Sequence, residues 1–362
     1  MPSLRPARDR AGYGWRARHA RLVRRGCAAF AAATAAAMVS ACGGHASPAT
    51  SSPPSSAAAA SSAATGQAAA TPPAIVAVTS GGALVTLDPA TGAVQQTLVP
   101  SGVAGGEVSV SANGLVYFAV QNGCTSKIEE VPVSGGAAAM IATGSLPAVS
   151  PDGAKLAYAT QPSLTPGCVP NVSDFDSLYN LQIRTLSGGS TATLPMVPAG
   201  QGSGLGAPIS FLSWSADNVH LAVSIASPED NEGWALNLVD TGQAQDYFSG
   251  AGVTTVPVTG PSAQQSYLRQ GVYMPNGNLF VSRACCAGIP VQNTSKLMWE
   301  VDTSGALVHQ VAVGFANLDH TSLDVSSDGN WLLYLAGTTL YLSQGGATPK
   351  QLTTGMIAAA FG

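Results

Sequence analysis

Three stretches of the sequence gather side chains that could hold a ligand. One carries Asp174, Asp176 and Tyr179, a second Glu229, Asp230, Asn231, Glu232 and Trp234, and a third Arg283 and Asn293. Carboxylates beside an aromatic ring suit a cationic or sugar-like ligand, and carboxylates in numbers suit Ca²⁺. The same residues also read as the solvated rim of an acidic protein. Nucleophilic and metal chemistry is thinly represented. The chain has no G-x-S-x-G elbow, no H-E-x-x-H pair and no phosphate-binding loop. Gly202-Ser203-Gly204-Leu205-Gly206 reads as a loop, and His220 and His309 fall in strand-like runs. His320, in "NLDHTSLDVSSDG", precedes a strand, where bonding within its own layer competes with catalysis beside Asp319. Cys124, Cys168, Cys285 and Cys286 lack a second paired set, and His is scarce, so a metal site is not expected.

The elements that would position these residues begin after the first 73. Eight Arg and one Asp lie in residues 1–25, and an apolar run follows from Gly26 to Ala41. That run is short for a membrane span and suits an export signal. Val39-Ser40-Ala41-Cys42 resembles the bacterial lipobox, which implies cleavage before Cys42 and a diacylglycerol on its thiol. More than one acyl chain, such as palmitate, is what a stable anchor requires. Arg24-Arg25 raises twin-arginine export, although its flanks fit that pattern poorly. Residues 43–73 hold no charge and no aromatic, so they cannot bury enough area to offset their ordering entropy. The expected organisation is a signal peptide over 1–41, an Ala/Ser/Pro-rich tether over 42–73 and a folded domain over 74–362. Without residues 1–25 the chain holds 7 Lys and Arg against 18 Asp and Glu. Such a protein is unsuited to nucleic acid, whose affinity comes from neutralising phosphates.

From Ala74 onward one unit recurs. "SANG", "SPDG", "SADN", "MPNG" and "SSDG" begin at 111, 150, 215, 274 and 326, and each separates two short apolar runs. Ser with Asp or Asn accepts bonds from nearby backbone N–H groups, and Gly, or Asn218, supplies a positive φ. Each unit continues into a third and fourth strand joined by a turn, as in "LQIRTLSGGSTATL". Four antiparallel strands repeated every 40–60 residues or so describe a propeller blade. The first unit lacks its initial strand, and "MIAAAF" at 356–361 is a spare strand at the end. The chain is therefore expected to be all-β, a six-bladed β-propeller of four-stranded antiparallel blades closed by its C-terminal strand. With the Ser-Pro-Asp-Gly turn, "LAY" and the Ser-Gly-Gly hairpin, residues 74–362 resemble the TolB-type, WD-related propeller repeats. That resemblance implies a fold and a mostly binding role, without TolB's extra N-terminal domain.

In such a ring, the loops joining second to third strands share a face with those that pass to the next blade. The long ones, about 160–178, 226–234 and 283–296, carry the acidic and aromatic residues above, so this face is the expected binding surface, and His320 borders it. Adjacent blades suggest a Cys124–Cys168 disulfide, and Cys285–Cys286 a strained vicinal one. The expected function is a membrane-anchored, extracytoplasmic platform for a protein or envelope ligand on a bacterial cell membrane. The protein is expected to be a monomer and more a binder than an enzyme, with no cofactor unless Ca²⁺. The rival is a metal-assisted hydrolase, lactonase- or cyclase-like, with its site in the central channel. Three or four converging Glu, Asp, Asn or His side chains in that channel would favour the rival.

Overall fold

The computed structural model describes residues 71–122, 125–160, 180–195, 209–226, 234–244, 250–259, 266–285, 298–311, 320–345 and 347–362. They form 24 strands in six four-stranded antiparallel sheets, the blades of a propeller. Blade 1 contains β1 (Ile75–Thr79), β2 (Leu84–Leu87) and β3 (Val94–Val99). Blade 2 is β4 (Ser109–Val110), β5 (Leu115–Asn122), β6 (Thr125–Pro132) and β7 (Ala139–Thr143). Blade 3 is β8 (Ser145–Val149), β9 (Lys155–Thr160), β10 (Asn180–Thr185) and β11 (Thr191–Pro195). Blade 4 is β12 (Ile209–Trp214), β13 (His220–Ala226), β14 (Trp234–Asp240) and β15 (Val253–Thr255). Blade 5 is β16 (Ser266–Tyr273), β17 (Leu279–Cys285), β18 (Met298–Val301) and β19 (Leu307–Gln310). Blade 6 is β20 (His320–Val325), β21 (Trp331–Ala336), β22 (Thr339–Gln344) and β23 (Lys350–Thr354), and β24 (Met356–Phe361) then returns to blade 1.

The closure follows the expectation. β24 pairs antiparallel with β1, Ile75 opposite Phe361 and Ala77 opposite Ala359, giving the order β24-β1-β2-β3. The first and last strands of the propeller thus share one sheet, and the innermost position of blade 1 is filled.

The repeated turn is built as its residues dictate. In blade 3, Ser150 Oγ donates to Asp152 Oδ1 at 2.6 Å and accepts from Lys155 N at 2.9 Å, while Gly153 N donates to Ser150 O at 2.8 Å. Ser326, Asp328, Gly329 and Trp331 repeat these bonds in blade 6. Gly153, Gly277 and Gly329 have φ of 69°, 85° and 73°, and Asn218 takes the same conformation at 60°. The Ser is buried each time (Ser150 0 %, Ser326 1 % exposed), so the motif is an internal strut rather than a surface nucleophile.

Blades stack through apolar layers. Val76, Val78, Leu84, Val116 and Phe118 pack with Ala358 and Ala360 between blades 1 and 2. Leu236, Leu238, Leu279 and Val281 pack between blades 4 and 5, where a side chain at Gly271 would collide with Leu236. The alternation follows from strand period: Leu279 and Val281 face blade 4, whereas Phe280 between them faces blade 6. Among the described residues no helix is long and apolar enough to cross a membrane.

Candidate functional site

The connections distribute unequally between the two faces of the ring. On the face carrying the Ser-Pro-Asp-Gly turns, first and second strands are joined by four or five residues in blades 2 to 6. On the opposite face, second and third strands are joined by 161–179 in blade 3, 227–233 in blade 4 and 286–297 in blade 5, against two residues in blades 2 and 6. The long second-to-third connections thus fall in consecutive blades and begin and end at the rim of one face; on the turn face blade 4 also has a twelve-residue connection, 241–252, between its third and fourth strands.

Asp174, Asp176, Tyr179, Glu229, Asp230 and Glu232 fall in these connections and lie outside the described residues. Trp234 proves to be the first residue of β14 and Arg283 a residue of β17, so both belong to strands rather than to loops. Arg283 is 5 % exposed, with its guanidinium carbon 5.9 Å from the ring centre of Trp299. Burial pulls its pKa below the ordinary value. His320 is likewise in a strand, the first residue of β20, and is 2 % exposed. Its ring meets Tyr334 edge-on at 5.7 Å, and Tyr334 stacks on Tyr341. Burial raises the Tyr334 hydroxyl well above its ordinary pKa.

The expected disulfides are corrected. Among the described residues no two cysteines stand at disulfide distance. Cys285 ends the extended strand β17, opposite Ser266. Neighbouring Cα atoms, about 3.8 Å apart, stand closer than a disulfide usually spans, which works against a vicinal bridge. Cys124 falls in a two-residue connection and Cys168 in a 19-residue one. Neighbouring blades fix where two connections start, not where the longer one carries its sulfur. Cys124, Cys168 and Cys286 themselves lie outside the described residues.

A cavity of about 560 Å³ opens at the turn face, lined by the C-terminal ends of the innermost strands. It holds two carboxylates that sequence reading passed over, Glu107 and Asp324. Glu107 accepts from Leu212 N at 3.1 Å, linking blade 2 to blade 4. Asp324 accepts from Phe361 N at 2.7 Å and Val325 N at 2.8 Å, linking blade 6 to the closing strand. Serines do the same elsewhere. Val149 N donates to Ser109 Oγ at 3.0 Å, Tyr273 N to Ser213 Oγ at 3.3 Å, and Ala359 N to Ser322 Oγ at 2.7 Å. The innermost strands present an unpaired edge to the channel, and these side chains satisfy several of its N–H groups, the serines and Asp324 from the adjacent blade and Glu107 from across the channel. Burial pushes Asp324 up to about 6 and raises Glu107 well above the carboxylate range, with the Asp324 charge adding to the effect on Glu107. Among the described residues no group of three His, Cys, Asp or Glu is placed to hold a metal ion.

A second groove lies between blades 4 and 5 on the same face, lined by Asp217, His220, Asp240 and Tyr273 among others. Asp217 Oδ2 lies 2.6 Å from His220 Nδ1, while bonds from Ser215 and the N–H groups of Val219 and His220 hold its pKa far below the usual range against a desolvation effect of opposite sign.

Fold and channel define a six-bladed β-propeller with a closed inner ring. No protein-family model matches the chain, and no curated protein does. Solved structures do. TolB from Acinetobacter baumannii superposes with a TM-score of 0.52 at 12 % identity over 80 % of this chain, which spans 65 % of the TolB chain. A chain of a nidogen/laminin complex superposes with a TM-score of 0.50 at 9 % identity, over 79 % of this chain and 97 % of that one. At these identities the likeness is one of fold alone, a β-propeller.

Proposed function

We propose that this protein is an extracytoplasmic binding platform, held to a bacterial membrane by lipid on Cys42 and reaching out on the tether 42–73. Its loop face would engage a protein or another envelope ligand. One observation carries the reading: the long second-to-third connections of blades 3, 4 and 5 collect on one face of a closed scaffold whose other face, the connection 241–252 of blade 4 aside, is built from turns of four to six residues. The channel supports it too. Among the described residues the two carboxylates that line the channel cavity, Glu107 and Asp324, are both engaged as strand ties, where a metal-assisted hydrolase would converge three or four on an ion.

Photo-crosslinking in cells tests the reading, with the probe introduced in turn at Tyr179, at Trp234 and, as a turn-face control, at Asp152. A specific adduct from the loop-face positions and none from Asp152 supports it. Adducts from Asp152 alone, or metal-dependent ester hydrolysis lost in Glu107→Gln, overturns it. Cys42→Ala is expected to move the protein from the membrane to the soluble fraction, and retention in the membrane would remove the lipid anchor from the proposal.

A further inference from the structure

Between blades 4 and 5, the end of the packed layer nearest the loop face buries donors without acceptors. Arg283 Nε and Nη2, Trp299 Nε1 and Ser224 Oγ are all buried and have no hydrogen-bond partner among the described residues. Strand period places them in one layer. Arg283 follows Leu279 and Val281 on the side of β17 that faces blade 4, and Trp299 is paired with Val281. Ser224 follows Ala222 on the side of β13 that faces blade 5. Arg283 lies two residues from the end of β17, about 7 Å below the rim at the usual rise of a strand.

A guanidinium is charged at any physiological pH and offers donors only, and the indole N–H is a donor only. Left alone at this burial it is strongly unfavourable. The missing element is therefore an acceptor with negative charge, and a planar fork of N–H groups matches a carboxylate or a phosphate. We infer that Arg283, with Trp299 Nε1 and Ser224 Oγ, forms an oxyanion-binding site at the loop-face end of the layer between blades 4 and 5. Trp299 covers one face of the guanidinium, which keeps the fork directed at the bound oxygens. The site extends past the platform reading, since a small oxyanion would bind here whether or not a macromolecular partner exists.

Calorimetric titration of the full chain with inorganic phosphate, and separately with acetate, tests this in a buffer free of other oxyanions. A saturable heat with at least one of the two, weakened more than tenfold in Arg283→Met and partly restored in Arg283→Lys, is the expected result. Binding that quenches tryptophan emission in the wild type but not in Trp299→Phe places the anion beside that ring. Circular dichroism of each variant separates loss of the site from loss of the fold. Wild-type protein with no saturable heat, or with heat unchanged in Arg283→Met, overturns the inference. So does phosphate binding that appears only when Glu229, Asp230 and Glu232 are together changed to Gln, Asn and Gln, because the chain's own carboxylate would then be the partner.

Discussion

Between blades 1 and 2 the packed layer is apolar, from Val76 and Val78 to Val116 and Phe118. Between blades 4 and 5 a similar apolar layer, Leu236, Leu238, Leu279 and Val281, gives way at one end to a guanidinium, an indole N–H and a serine hydroxyl. Strand plan and stacking are shared. The connections above the layers are not: two residues join β5 to β6 in blade 2, against seven and twelve at the corresponding places in blades 4 and 5. Stacking by itself needs only the apolar layer, as blades 1 and 2 demonstrate. The buried donors between blades 4 and 5 oppose stability, and they stand where the longer connections begin. Cost without structural return marks a place kept for binding.

The widest separation of the two layers comes from Phe118→Ala, which empties a fully buried site between blades 1 and 2. It should lower stability by about 3–5 kcal/mol in urea denaturation. A loss below about 1 kcal/mol would show that this layer does not carry the seam. Arg283→Met should do the reverse, raising the stability of the anion-free protein by about 1–3 kcal/mol in the same measurement. Destabilisation there would mean that the guanidinium is needed for packing, and the contrast between the layers would fall.

Next in size is a pH effect from the ring of strand ties. Asp324 is raised to about 6 from an ordinary 3.8, so the folded chain holds that proton more tightly than the unfolded chain. Its contribution is full below about pH 4 and is lost as pH rises to about 6. Asp324→Asn should keep an acceptor for Phe361 N, flatten that slope and add about 1–2 kcal/mol above pH 6. The turn aspartates act in the opposite direction. Bonds from Ser150 and Ser326 head the causes that lower Asp152 and Asp328, so their contributions are present above the ordinary value and fade in acid. Denaturation midpoints from pH 2 to 8 separate the two sets, and an unchanged slope in Asp324→Asn would remove the channel carboxylate from the account. The smallest effect is expected from Ser150→Ala, about 0.5–1.5 kcal/mol, because one strut among several equivalent turns is lost.

The fold was readable because its signal is local and repeated. Ser150, Asp152 and Gly153 bond to one another and to Lys155, all within five residues, so the turn closes on local bonds, and Asn218 of the next blade only adds to them. The spare strand 356–361 was readable because the first unit lacks one. The site was less so. Arg283 and Trp234 were read as loop residues, since "NLFVSRACCAG" offers no sharp end to its strand. Glu107 and Asp324 carried no signal at all. They are 217 positions apart, and only ring closure brings their charges within reach of each other.

The chain's own pattern of apolar runs and Ser-x-Asp-Gly turns determined the blades, their number and the identity of the closing strand. Those features rest on hydrogen bonds and strand period that act over a few residues. Which side chains face each other between blades, which N–H groups of the inner edges need an acceptor, and where a cation is buried without one were decided by the closed ring alone. These depend on the rotation of one rigid sheet against the next, and no short stretch of sequence encodes that angle.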